Sequence, residues 1–266
     1  MSPGKKLVSN RHKYSTIVIK IGSSTLTTPT GKLDHHNLKR IVAEAASLVK
    51  QKKKVLLVTS GAIVTGAEKL SLGQPKTIPQ KQAAAAIGQA LLMRQYEKAF
   101  ESHGIMVAQV LLTRDVITHS ERKLNVKNCL TTLLSRGIVP IINENDAVAV
   151  DEIKIGDNDN LAAMTARLIE ADLLILLTDV DGFYLKDHRG KLALVQEITS
   201  ISGKIRAAAG ISTSKAGTGG MATKIQAAEI CSLSGITMAI ASGRKSGVII
   251  NLSSGEKEGS IFYPVS

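Results

Sequence analysis

Tryptophan is absent from this 266-residue chain and aromatic residues make up only 3% of it. A core built without them must be filled by Ile, Leu, Val and Ala, which suits a parallel sheet covered by Ala-rich helices and argues against an aromatic-rich β-sandwich. A nucleic-acid surface built on stacked aromatics is equally disfavoured, because Tyr14 is the only aromatic residue before Tyr96. Only Cys129 and Cys231 are present, 102 positions apart and without close Cys or His companions. That excludes a disulfide framework and a zinc site and predicts two reduced, buried thiols. No stretch approaches the run of about 20 apolar residues that spans a bilayer. The first residues, MSPGKKLVSNRHKYS, lack the apolar segment of a signal peptide. A cytoplasmic protein without a membrane anchor is expected, with residues 1–14 as a disordered basic tail.

The net charge of +12 is unevenly placed. Residues 1–54 hold 12 Lys/Arg and 2 Asp/Glu, so most of the excess is N-terminal. The run Lys50, Lys52, Lys53, Lys54 follows a helical stretch, where cations suit the helix dipole, and a solvated helix end is favoured over a DNA footprint. Conversely, residues 143–181 contain ten acidic residues against Lys154 and Arg167. An acidic zone in a basic protein calls for a cation, an ammonium group or a lysine partner, and marks where chemistry is to be sought.

Short β-branched runs at Thr16–Ile21, Val55–Thr59, Ile105–Leu112, Ile138–Ile142, Leu173–Thr178 and Ile236–Ala241 alternate with helical patterns around 35–51, 79–102, 120–136, 158–170 and 221–234. This rhythm predicts an α/β fold, a mostly parallel open sheet flanked by helices on both faces. Gly259–Tyr263 is expected as an edge strand. No repeat, low-complexity tract or Pro-rich linker marks a domain boundary.

Ligands of open α/β sheets bind at the carboxyl ends of strands. Four such ends carry unusual residues: Lys20-Ile21-Gly22-Ser23-Ser24, Thr59-Ser60-Gly61-Ala62, Asn143-Glu144-Asn145-Asp146 and Thr178-Asp179-Val180-Asp181-Gly182. Gly22 lets backbone approach a phosphate, and Lys20 in an apolar strand is costly unless it is paired or faces a site. Gly217 to Lys224 combines a Gly-rich loop with a helix start, suited to an anion, although the P-loop spacing is absent. Asn143 to Asp146 and Gly156 to Asn160 offer carboxylates and carboxamides, the complement of an amino acid's ammonium and α-carboxylate. His35, His36 and His119 lack metal-ligand partners and read as surface residues.

The segments IVIKIGSSTLT, VTSGAI, QVLLTR, PIINENDAV, IKIGDNDNL, LLTDVDGFY and GTGGMATK, in this order, resemble the glutamate 5-kinase branch of the amino acid kinase superfamily over about residues 14–263. The resemblance implies a three-layer αβα sandwich, with 15–266 as one kinase domain. Within it, about 15–170 would bind the acceptor and about 171–266 the nucleotide. It implies a short form without the C-terminal PUA domain that many members carry. It implies phosphorylation of the L-glutamate γ-carboxylate by ATP with Mg²⁺, the first step of proline biosynthesis. Lys20 and Lys224 would contact the transferring phosphoryl group, with Asp157 and Asp159 organising the lysines and substrate. Ser60, Gly61, Asn143, Asp146, Asn158 and Asp159 would bind glutamate. Gly22, Ser23, Thr178, Asp179, Thr218, Gly219, Gly220, Met221, Ala222 and Thr223, with the two lysines, would bind ATP. Metal is expected on the nucleotide and not on a protein site. The resemblance further implies a homo-oligomer, dimer or tetramer, feedback inhibition by proline, and glutamyl phosphate reductase as the next enzyme.

Two other readings remain open on the residues. One is a kinase of the same fold acting on N-acetylglutamate, aspartate, carbamate or UMP. Carboxylates suited to a free ammonium group weigh against N-acetylated and nucleotide acceptors. The other is a nucleic-acid-binding or regulatory non-enzyme, which the basic N-terminus suggests and the lack of interleaved aromatics opposes.

Overall fold

The computed structural model describes residues 14–71, 73–113, 116, 119–148, 158–210 and 220–265. The basic tail up to Lys13, Asp157, Thr218 and Gly219 therefore lie outside the described residues.

Strand β1 (Thr16–Ile21) is the organising element. Its β-branched residues alternate between two faces. Ile17, Ile19 and Ile21 enter one hydrophobic layer and Val18 the other. By the same period of two, Lys20 belongs to the face of Val18. Around β1 lie β2 (Lys54–Val58), β3 (Val107–Leu112), β4 (Val139–Glu144), β5 (Leu173–Thr178), β8 (Glu197–Ile198), β9 (Thr237–Ser242) and β10 (Ser260–Phe262), in the order β3-β4-β2-β1-β5-β9-β10-β8. The first six of that order are parallel, β10 runs antiparallel to β9, and β8 pairs parallel with β10. The chain leaves β1 toward β2 on one side and returns to β5 on the other. The carboxyl end of β1 is thus a topological switch point, where a crevice opens.

Helices α2 (His35–Lys50), α4 (Ile78–Glu101) and α9 (Val248–Ser254) cover the first face through residues such as Ile41, Tyr96, Phe100 and Leu252. Helices α5 (Ser120–Ser135), α6 (Asp159–Leu168), α7 (Gly203–Gly210) and α8 (Met221–Ser232) cover the second through Leu130, Leu161, Ile205, Ile225 and Cys231. This is the expected mostly parallel sheet between helical layers. A short α1 (Ser23–Leu26) follows β1, and α3 (Ala62–Leu70) crosses α4 at Gly66 and Gly88. A Cβ on Gly66 would lie 1.8 Å from Ala84 O, and one on Gly88 1.8 Å from Ala62 O. Only glycine permits backbone contact this close, and it draws the middle of α4 toward the end of β2.

Four details depart from the sequence expectations. The segment expected at the sheet edge, β10, is interior, because the two-residue β8 pairs beyond it. A hairpin of β6 (Tyr184–Lys186) and β7 (Leu192–Leu194) stands outside the main sheet, its turn held by Asp187 Oδ1, which accepts from the N–H groups of Arg189 and Lys191. Cys129 is exposed, since it falls on the solvent side of α5, and only Cys231 is buried, where burial pushes its thiol up to about 12. Lys53 is buried and not solvated: its ammonium donates to the carbonyls of Tyr14 and Ser253, and burial lowers its pKa despite the charge of Asp172.

Candidate active site

A cavity of about 800 Å³ opens at the carboxyl ends of β1, β2, β4 and β5. On its floor three charged side chains meet. Lys20 Nζ lies 2.6 Å from Asp159 Oδ1, and Lys224 Nζ lies 3.1 Å from Asp159 Oδ2. Asp159 is fully buried and both lysines are 7% exposed. Strand parity sends Lys20 to the second face, the first residue of α6 supplies the carboxylate, and the fourth residue of α8 supplies the other ammonium. Thr223 reinforces the junction: its Oγ1 lies 3.1 Å from Asp159 Oδ2 and donates to Gly220 O at 2.7 Å. Burial opposes ionisation of Asp159, but the charges and hydrogen bonds of Lys20 and Lys224 outweigh it and hold the carboxyl below the usual carboxylate range. The trio carries a net charge of +1, a buried cationic surface fit for an anion.

A second group lines the wall toward β4. Asn158 Nδ2 donates to Thr59 O at 2.7 Å, to Asn143 Oδ1 at 3.0 Å and to Ser60 Oγ at 3.2 Å. Its own Oδ1 is buried without a partner among the described residues. Asn158 occupies the N-cap position of α6, but its side chain makes no capping bond and serves this network instead. Gly61 adopts φ +99°, a conformation that disfavours any side chain, as the chain turns from β2 into α3. Asp146 lies at the same end. Burial and the neighbouring Glu144 charge push its carboxyl up to about 6. Beneath them the Tyr96 hydroxyl pairs with Thr59 Oγ1 at 2.7 Å, and burial raises its pKa.

The third wall is the Gly22–Ser24 turn with α1. Gly22 N donates to Leu177 O at 3.0 Å, locking the turn onto β5. The carbonyl end of α1 is held from afar: Arg244 donates to Ser24 O and Thr27 O and pairs with Asp34, while Asn37 Nδ2 donates to Thr25 O at 2.7 Å. Across the cavity Thr178 donates to Asp179 Oδ1 at 3.0 Å, and Met221 closes the rim.

Of the residues singled out in the sequence, Lys20, Gly22, Ser23, Ser60, Gly61, Asn143, Asp146, Asn158, Thr178, Asp179, Met221 and Lys224 all line this cavity. Asp159 lies beneath it. Gly220, Ala222 and Thr223 start α8 beside it without being part of its lining. Sequence reasoning missed Gln89, Arg244, Lys32 and Lys81; the last two line the cavity mouth. Gln89 and Lys81 are single polar residues of α4, and Lys32 and Arg244 sit in a bend and a turn; none gives a local signal, so only the fold reveals them. Among the described residues no group of three or more His, Cys, Asp or Glu is placed to hold a metal ion. No described helix is long and apolar enough to cross a membrane.

Comparison with known proteins shows the family to which the chain belongs. Residues 15–242 match the profile of the amino acid kinase family. A glutamate 5-kinase of Clostridium acetobutylicum is 49% identical over 99% of this chain and 99% of its own length. Those of a Thermoanaerobacter species and Pelobacter propionicus are 50% and 46% identical over 94% and 95% of this chain, which spans 68% and 69% of their lengths. Among solved structures, UMP kinase from Bacillus anthracis superposes with a TM-score of 0.62 over 95% of this chain and 97% of its own, at 15% identity, a likeness of fold alone.

Proposed function

The chain belongs to the amino acid kinase family and within it to the glutamate 5-kinases, and we propose that the cavity above Asp159 is where it transfers the γ-phosphoryl group of MgATP to the γ-carboxylate of L-glutamate. The products are L-glutamyl 5-phosphate and ADP, and the reaction opens proline biosynthesis. The observation that carries the assignment of the site is the convergence of Lys20 and Lys224 on one buried carboxylate.

The chemistry brings two anions together, a carboxylate and a polyphosphate. A carboxylate oxygen forms the new bond to phosphorus while the bond from phosphorus to the bridging oxygen breaks, its electron pair leaving with ADP. No proton has to be removed, because a carboxyl of ordinary pKa, about 4.3, is already ionised at neutral pH. Catalysis is then positioning and charge neutralisation. Lys20 and Lys224 meet the charge spreading over the phosphoryl oxygens, and Asp159 keeps both ammonium groups in place without cancelling their net charge. Ser60, Gly61, Asn143, Asp146 and Asn158 take glutamate, with Asp146 and the unpartnered Asn158 oxygen suited to its ammonium group. Gly22, Ser23, Thr178, Asp179, Met221 and the Gly220 to Thr223 helix start take ATP. Asp157, Thr218 and Gly219 keep these roles on the family resemblance alone. Mg²⁺ would arrive on the nucleotide, where it would screen the phosphate charge.

In this reading about 15–170 forms the acceptor-binding lobe and about 171–266 the nucleotide-binding lobe of one sheet. A cytoplasmic homo-oligomer follows from family membership, supported by exposed Leu111 on β3, the strand at the sheet edge, and exposed Met106 just before it. Proline as feedback inhibitor and a reductase that consumes the acyl phosphate complete the family reading. The test is ADP release from MgATP with L-glutamate, L-aspartate, N-acetylglutamate, carbamate and UMP as acceptors, the acyl phosphate being trapped with hydroxylamine. L-glutamate is expected to give the highest turnover; turnover with UMP and none with L-glutamate would overturn the assignment.

A further inference from the structure

Gln89 lies on α4, 8% exposed, away from the nucleotide end of the cavity. Its Oε1 accepts from Asn143 Nδ2 at 2.9 Å. Asn143 Oδ1 in turn accepts from Asn158 Nδ2 and from the backbone N–H of Glu144, both at 3.0 Å. Three carboxamides thus run head to tail from α4 to the acceptor wall. Their polarity is not arbitrary. The Thr59 carbonyl only accepts, so the group of Asn158 facing it is the NH₂; the Glu144 N–H only donates, so the group of Asn143 facing it is the oxygen. With both fixed, Asn143 presents its NH₂ to α4, and Gln89 supplies the oxygen that receives it. At the far end Asn158 is left with an oxygen that has no described partner, in a residue that lines the cavity.

We propose that Gln89 is a positioning residue for acceptor specificity. By holding Asn143, it steadies the Asn143 oxygen against Asn158, whose polarity the Thr59 carbonyl sets and whose own oxygen is left for the acceptor's α-ammonium group. The inference rests on the cavity's assignment to L-glutamate and extends it to a residue that touches no substrate. Losing the Gln89 oxygen strands a buried NH₂ on Asn143 without an acceptor. Relieving that loss moves Asn143 off α4 and loosens the contact of its oxygen with Asn158, which is then held by Thr59 and Ser60 alone. The glycine contact between α3 and α4 explains how a helix side chain reaches this far: Gly88, next to Gln89, packs directly on the backbone of Ala62 and Gly66.

The test compares L-glutamate with glutarate, which keeps both carboxylates and lacks the ammonium group. Glutarate is measured as a competitive inhibitor against L-glutamate, so its affinity is obtained whether or not it is phosphorylated. Gln89→Met keeps the length and removes the oxygen; Gln89→Ala removes it without filling the space, in case Met is not accommodated. Both are expected to raise the L-glutamate KM about 10- to 100-fold, the size of a hydrogen bond to a charged group. The glutarate Ki, the ATP KM and kcat should stay within about threefold of the parent. Gln89→Glu still offers an oxygen to Asn143 and should restore most of the preference for L-glutamate. Weakening of L-glutamate and glutarate by the same factor, or an unchanged L-glutamate KM, would overturn the inference and leave the kinase assignment standing. Absence of L-glutamate phosphorylation by the parent enzyme would overturn the assignment itself.

Discussion

Asp159→Asn removes one charge and almost no volume from the centre of the site. The carboxylate is fully buried, 2.6 Å from one ammonium and 3.1 Å from the other. With Asn in its place, two nearly buried lysines face each other with no counter-charge between them. Breaking a buried ion pair from one side costs about 3–5 kcal/mol. At about 2–4 °C per kcal/mol for a chain of this size, Tm should fall by roughly 6–20 °C. The pH dependence has a definite sign. Lys20 and Lys224 hold the folded carboxyl below its unfolded value, so its stabilisation is present above the ordinary carboxylate range and is lost as pH falls through the folded pKa. The Tm gap between parent and variant is therefore full at pH 7 and shrinks under strongly acid conditions. MgATP should raise the Tm of the variant more than that of the parent, because its phosphates replace the missing negative charge. Turnover should fall about 10²–10³-fold, since the lysines lose the orientation they need in the transition state. Differential scanning fluorimetry across pH, with and without MgATP, together with steady-state kinetics, reads all four effects. A variant with parental Tm and kcat within twofold of the parent would show that Asp159 does not organise the lysines.

Lys20→Ala and Lys224→Ala should each lower kcat by about 10²–10³-fold, and the double variant by less than the product, because both act on one developing charge; full multiplicativity in steady-state kinetics would mean independent roles. In the parent the L-glutamate KM should rise as pH is lowered through about 6, where burial and the Glu144 charge place the protonation of Asp146. Asp146→Asn should abolish that dependence while raising the KM at pH 7.5 at least tenfold and sparing ATP. Gly88→Ala forces a methyl to within 1.8 Å of Ala62 O, and overpacking of about 1–3 kcal/mol should lower Tm by roughly 2–12 °C, with a higher L-glutamate KM because the Ser60–Ala62 wall moves. Arg244→Ala frees the carbonyls of Ser24 and Thr27 and should raise the ATP KM several-fold with little change for L-glutamate; the reverse pattern would remove α1 from the nucleotide wall.

How much of this was legible in the chain depended on whether the determinant was local. β1 and β5 begin and end where their β-branched and Leu-rich runs do, because both are buried on two faces and bounded by polar residues. Lys20 stood out for the same reason: a charge in such a strand has to be answered somewhere. Which carboxylate answers it was not readable. Asp157 and Asp159 are equivalent in composition, and only the start of α6 under β1 decides that Asp159 reaches both lysines. Gln89 was invisible because its partner is 54 positions away and its helix is close enough only through a glycine crossing. Lys53 looked like part of a solvated run, yet the return of α9 to the first strand buries it against two carbonyls. β8 is two residues long, too short for any period, and its presence alone turned β10 from an edge into an interior strand.

The charges of the cavity are also ordered along its length, and that order constrains the acceptor. At one end sit two ammonium groups sharing one carboxylate. At the other sits Asp146, and behind it, outside the cavity lining, Glu144, whose Oε2 is buried without a partner among the described residues. A polyphosphate is attracted to the first end and repelled from the second, while an α-ammonium group is drawn the opposite way. An acceptor therefore fits only if it spans the two, with its cation at Asp146 and its nucleophilic carboxylate at the lysines. L-glutamate has one methylene more between those groups than L-aspartate. If the ammonium anchor fixes position, the shorter acid must either leave the anchor or hold its carboxylate short of the phosphoryl group. The loss should then fall on kcat at saturating L-aspartate, where binding is complete and reach is not. A defect confined to KM would mean that the acceptor slides freely and that the two ends do not act as a gauge.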